Sequence, residues 1–146
     1  MRIIASGTFD RLHEGHRYFL KEAFERGYVM IGLSADSMLS HKVCAEKIYP
    51  YEKRKHDLIT YLTDKGFILC RDYMIEKIED KFGFADDIKE IDAILVTPEV
   101  KKTAEEINNV RKAKGWNELE IVEITFLRDE KGVISSTRLR ASQCNP

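Results

Sequence analysis

Short apolar runs alternate with stretches of helical periodicity along this chain, and that alternation restricts it to crossover units on a parallel sheet rather than hairpins. The runs are Ile3-Ile4-Ala5, Val29-Met30-Ile31-Gly32-Leu33, Phe67-Ile68-Leu69-Cys70, Ile91 to Val96 and Glu120 to Thr125, and each reads as a strand. Between them His16 to Arg26 places Phe19, Leu20, Ala23 and Phe24 on one helical face, with Gly27 as the stop. Tyr51 to Lys65 does the same with Leu58, Ile59 and Leu62, ending at Gly66. Val100 to Lys114 follows with Ala104, Ile107 and Val110, ending at Gly115. Ser34-Ala35-Asp36 opens a short helix, and Ser40 to Lys47 is a polar loop. The expectation is one α/β domain over residues 1–146, Rossmann-like, with a mostly parallel five-stranded sheet and helices on both faces.

Bulk properties narrow the partners. A chain of 146 residues with 43% hydrophobic content can bury a sizeable core. Its 24 basic and 25 acidic residues leave a net charge of -1, which recommends no nucleic-acid partner. The first apolar run is too short for a signal-peptide core and no segment approaches membrane-spanning length, so a cytoplasmic protein without a membrane partner is expected. Cys44, Cys70 and Cys144 are scattered and odd in number, forming neither a disulfide framework nor a zinc pattern. The oligomeric state is not legible, and a monomer is compatible with everything above.

The chemistry concentrates in Gly7-Thr8-Phe9-Asp10-Arg11-Leu12-His13-Glu14-Gly15-His16, which joins the first strand to the first helix. Small residues let backbone N–H groups approach a phosphate closely, and a helix start carries unpaired donors with partial positive charge. Two imidazoles add side-chain donors. A Gly-Lys-Ser/Thr sequence is missing after the glycines, so a P-loop is excluded. Asp10 reads as structural, accepting loop N–H groups, rather than as a metal ligand. No Asp/Glu cluster forms a dedicated metal site.

Thr8-Phe9-Asp10 followed by His13-x-Gly15-His16 resembles the signature of the nucleotidyltransferase superfamily, which includes cytidylyltransferases and pantetheine-phosphate adenylyltransferases. Far downstream, Ile134-Ser135-Ser136-Thr137-Arg138-Leu139-Arg140 resembles that superfamily's C-terminal phosphate-binding motif. Tyr49 to Arg54, Asp80 to Ala85, Ala93 to Glu99 and Ala104 to Arg111 resemble, in order, the archaeal-type pantetheine-phosphate adenylyltransferases. The middle departs from them at Asp80-Lys81-Phe82-Gly83 and at Pro98, where an acidic residue is common.

The resemblance implies transfer of AMP from ATP to 4'-phosphopantetheine, giving dephospho-coenzyme A and pyrophosphate, with Mg2+ accompanying ATP. It makes His16, Lys42 and Thr8 catalytic: His16 on the α-phosphate, Thr8 with the Thr8-Phe9 backbone on the attacking phosphate, and Lys42 bridging phosphates, with Lys47 its local competitor. It makes Gly7, Phe9, His13, Gly15, Ser135, Ser136, Thr137, Arg138 and Arg140 nucleotide-binding. Arg54 and Arg111 fall on helices, where they face solvent or bind phosphate. The same two motifs also serve cytidylyltransferases and flavin-adenine dinucleotide synthetases, and a nucleotide-binding sensor without turnover would retain the fold. A fragment of a class I aminoacyl-tRNA synthetase is a further, lower-ranked alternative.

Overall fold

The computed structural model describes residues 1–39 and 47–125 in full, and the backbone of 128–129 and 132–133. Five strands, β1 (Arg2–Gly7), β2 (Tyr28–Ser34), β3 (Tyr73–Ile78), β4 (Ala93–Val96) and β5 (Glu120–Glu123), form one sheet in the order β3-β2-β1-β4-β5. Every pairing in it is parallel. A small antiparallel pair joins β6 (Arg128–Asp129) to β7 (Gly132–Val133).

Strand alternation divides the apolar side chains between two layers. Ile3 and Ala5 of β1, Val29, Ile31 and Leu33 of β2, and Ala93 and Leu95 of β4 pack in one cluster with α1 (Glu14–Phe24) and α2 (Tyr51–Asp64). Ile4, Met30, Ile94 and Val96 join Ala104 and Ile107 of α3 (Lys101–Ala113) in the other. Both faces of the sheet are therefore covered, as its near-continuous apolar strands require. Among the described residues, no helix is long and apolar enough to cross a membrane.

One strand differs from the sequence expectation. Phe67 to Cys70 forms no sheet strand beyond a single bridge from Leu69 to Tyr73. Phe67 instead stacks on Phe24 at 3.9 Å between ring centroids. Ile68 and Leu69 are exposed, and Cys70 turns into the left-handed region with φ of 73°. The Asp72 carboxylate closes this turn by accepting the Ile68 N–H at 2.7 Å. The edge strand follows at Tyr73–Ile78, whose charged Glu76 and Lys77 hide its strand character from a search for apolar runs.

Because β1 has β2 on one side and β4 on the other, successive crossovers leave it in opposite directions, which opens a crevice at the C-terminal ends of β1 and β4. The loop after β1 borders this crevice on one side. On the other, β4 leads into buried Thr97 and a single 3-10 turn, Pro98–Val100.

Candidate active site

The loop after β1 is held in a shape that few residues adopt freely. Phe9 and Arg11 both have positive φ, 49° and 51°, a conformation costing non-glycine residues of order 1 kcal/mol or more and retained only when the surroundings enforce it. The Phe9 side chain is buried against Phe19 and lies where a Cβ on Gly7 would approach it at 3.2 Å. It is a core anchor, so what Phe9 can offer a ligand is its backbone. Asp10 is completely buried. One carboxylate oxygen accepts the Tyr49 N–H at 3.1 Å and the other pairs with the Arg11 guanidinium at 2.5 Å. Arg11 also donates to the Lys47 carbonyl at 2.7 Å and lies over the Tyr49 ring. Asp10 thus accepts a backbone N–H, as the sequence suggests, and this donor comes from 39 residues away.

His13 caps α1. Its backbone is extended, and its Nδ1 accepts the Gly15 N–H at 3.0 Å. An accepting Nδ1 carries no proton, which places the ring proton on Nε2. The His13 and His16 rings stack at 3.9 Å with 21° between their planes. Phe9 supports His16 from the other direction, 5.4 Å between centroids. Cap, stack and aromatic support fix both imidazoles at the positive end of α1, where developing negative charge is favoured. The Gly15 N–H is committed to the cap, so Gly15 itself brings no backbone donor to a ligand.

Arg54 and Arg111 correct the sequence expectation. Neither faces solvent: both are fully buried. Arg54, on α2, donates to the carbonyls of Tyr49 at 2.8 Å and Thr8 at 3.0 Å and to the Asp36 carboxylate at 2.8 Å. Asp36 also receives the Tyr51 N–H at 3.0 Å. Arg111, on α3, donates to the carbonyls of Asn117, Ala85, Ile88 and Lys89, all at 2.8 to 2.9 Å. Burial pulls its pKa below the usual arginine value, and the surrounding carbonyls compensate its charge. A phosphate-binding role would require these donors to leave protein acceptors.

The spacing did carry a signal for both. Arg54 falls three residues after Tyr51 and four before Leu58, and Arg111 four after Ile107, on the buried helical stripes.

Thr8, half-buried, Gly7, Phe9, His13, Gly15 and His16 therefore come together at the C-terminal end of β1. Lys47 is exposed just beyond, its carbonyl tied to Arg11. Lys42, Ser135, Ser136, Thr137, Arg138 and Arg140 lie outside the described residues. Among the described residues no three His, Cys, Asp or Glu side chains are grouped to hold a metal ion. A separate groove of about 610 Å³ runs between α1 and α2, floored by Leu20, Phe24, Tyr61, Leu62 and Phe67, and it includes none of the residues of the strand-end site.

Comparison with known proteins adds to this geometry. Residues 4–142 match the family model described as cytidylyltransferase-like. The phosphopantetheine adenylyltransferase of Thermococcus gammatolerans is 44% identical over 147 residues, covering 99% of this chain and 91% of that protein. That of Pyrococcus abyssi is 42% identical, covering 99% and 92%. Among solved structures, a protein of unknown function from Archaeoglobus fulgidus superimposes with a TM-score of 0.75 at 27% identity, covering 92% of this chain and all 100% of that one.

Proposed function

The chain belongs to the cytidylyltransferase-like family of nucleotidyltransferases, and from that premise we propose that it transfers the adenylyl group of ATP to 4'-phosphopantetheine in coenzyme A biosynthesis. The observation that carries this reading is the similarity along nearly the whole chain to archaeal phosphopantetheine adenylyltransferases, at 44% identity in one case. The stacked His13 and His16 at the crevice supply a site suited to it.

In the reaction, a phosphate oxygen of 4'-phosphopantetheine attacks the α-phosphorus of ATP. A new P–O bond forms, the bond to the bridging α–β oxygen breaks, and pyrophosphate leaves with that electron pair. The protein needs no covalent nucleophile. It must hold two anions in line and stabilise the charge on the transferring group. His16 donates to the α-phosphate as its charge grows. His13, carrying its proton on Nε2, steadies the phosphate chain. The Thr8 hydroxyl and the Phe9 N–H orient the attacking phosphate, and Gly7 leaves room beside them. Lys42, or Lys47 in its place, bridges the phosphates. Ser135, Ser136, Thr137, Arg138 and Arg140 take the β- and γ-phosphates.

Magnesium would enter as part of the substrate, with triphosphate oxygens and water as its ligands. We assign the enzyme to the cytoplasm, acting on small molecules without nucleic acid or membrane. Pyrophosphate release from Mg-ATP with 4'-phosphopantetheine, run beside CTP and other phosphorylated acceptors, tests the assignment. Turnover confined to ATP and 4'-phosphopantetheine supports it; turnover only with another pair replaces the substrate, and none with any pair removes the activity.

A further inference from the structure

We propose that Arg54 is a positioning residue for the transfer reaction, whose buried guanidinium holds the Thr8 carbonyl and thereby aims the Phe9 N–H at the acceptor phosphate. This rests on the reaction assigned above and adds a residue from α2 that touches neither substrate.

The peptide between Thr8 and Phe9 is trans, like every peptide among the described residues, so its C=O and N–H point in opposite directions. Arg54 is fully buried and donates to the Thr8 carbonyl at 3.0 Å. With the carbonyl pointing inward, the Phe9 N–H points away from the interior, and it meets no acceptor among the described residues. That orientation carries the strained φ of 49° at Phe9, and a strained peptide stays in one orientation only if something holds it. The buried Phe9 ring fixes one end of the peptide and Arg54 the other.

The clamp is itself tightly located. A planar guanidinium with donors in a fixed fork satisfies acceptors at set angles, whereas a lysine ammonium is a point charge. Here the fork spans three segments: Thr8 after β1, Asp36 after β2, and Tyr49 before α2. Tyr49 is also the residue whose N–H Asp10 accepts, so the strand-end loops are tied to the signature loop. A loop freed from this fork leaves the Thr8-Phe9 peptide able to rotate, and a reacting group misplaced by about 1 Å costs about 100-fold in rate.

Arg54→Lys and Asp36→Ala test this. The second loosens the guanidinium through an exposed carboxylate without touching Thr8, so it informs even if Arg54→Lys fails to fold. The expected result is that kcat falls about 100-fold for Arg54→Lys and about five- to tenfold for Asp36→Ala, while KM for ATP stays within about twofold. In protein labelled with 15N-phenylalanine, the Phe9 amide resonance shifts in both variants, while those of Phe82 and Phe84, across the sheet, do not. Losses that follow only the folded fraction, an unmoved Phe9 amide, or a shifted amide with unchanged kcat would each overturn the proposal. Should wild-type protein show no turnover, the reaction assignment fails, and the Phe9 amide alone decides whether the clamp exists.

Discussion

Arg54 and Arg111 are both fully buried, but they sit at opposite ends of the sheet. Arg54 gathers the segments that leave the C-terminal ends of β1 and β2, where the signature loop and its histidines lie. Arg111 gathers Ala85, Ile88 and Lys89, which lead into β4, and Asn117, which leads into β5. Its neighbour Asn108 locks the same end through a reciprocal pair with the Leu119 backbone, at 2.7 and 3.0 Å. Each guanidinium captures backbone carbonyls, Arg54 two of them beside the Asp36 carboxylate and Arg111 four. What differs is what the captured carbonyls belong to: at one end the strained loop proposed to present donors to a ligand, at the other connections that only start strands. The C-terminal edge is where a parallel sheet exposes its functional loops, and the N-terminal edge is where it is closed.

If this division is correct, damage at the two ends should have different signatures. The largest effect is expected for His16→Ala, which removes the donor proposed to face the reacting phosphate. Turnover should fall about 100- to 1,000-fold, with ATP affinity falling much less, as steady-state kinetics beside equilibrium binding would show. Equal losses in both would make His16 a ground-state binder instead.

Arg111→Ala should reverse the pattern, because it leaves four carbonyls, that of Ala85 buried and the others partly buried, without their donor. Stability should drop by about 3 kcal/mol or more in urea unfolding, while kcat per folded molecule stays within about twofold. Gly27→Ala acts at the same end. Gly27 has φ of 145° and its added Cβ would lie 2.3 Å from the Met1 carbonyl, so a loss of about 2 kcal/mol without a change in kcat is expected.

Titration gives the smallest effects, again on the side of β3 that begins the strand. Burial first, then Cys70 and Asp72, raises the Tyr73 pKa above 10.0. The folded state therefore prefers the neutral phenol, and this stability is present below pH 10 and lost as pH rises through the folded value. The Arg71 side chain, then the Ile68 N–H, lowers the Asp72 pKa below 3.8, so its contribution is present above that value and lost as pH falls through the folded one. Thermal midpoints across pH for wild type, Tyr73→Phe and Asp72→Asn would show a weaker alkaline decline in the first variant and a weaker acid decline in the second.

Much of this organisation was legible from residues alone. The apolar runs located β1, β2, β4 and β5 to within a few positions, and glycines located the ends of the three α-helices among the described residues. The strand-loop-helix around His13 and His16 was readable because its signals are local: a short apolar run, small residues and an amphipathic repeat. β3 was not, because an edge strand that exposes Glu76 and Lys77 competes poorly with the more apolar Phe67 to Cys70. The arginines were misjudged for another reason. Charge suggests exposure, and burial becomes possible only when carbonyls from segments up to 46 residues away converge on one guanidinium. No local pattern reports such convergence, though their place on the inner helical stripes was a hint. Likewise, Asp10 could be identified as an acceptor but not matched to Tyr49.

The most direct test of the division between the two ends is to compare Arg54→Lys with Arg111→Lys, measuring thermal midpoint and kcat on the same preparations. The substitution is chemically identical and both sites are fully buried, so what differs is position and the acceptors each guanidinium holds. The account predicts that Arg54→Lys loses turnover far beyond its loss of stability, while Arg111→Lys loses stability with turnover per folded molecule intact. Turnover that simply follows thermal midpoint in both variants would contradict it.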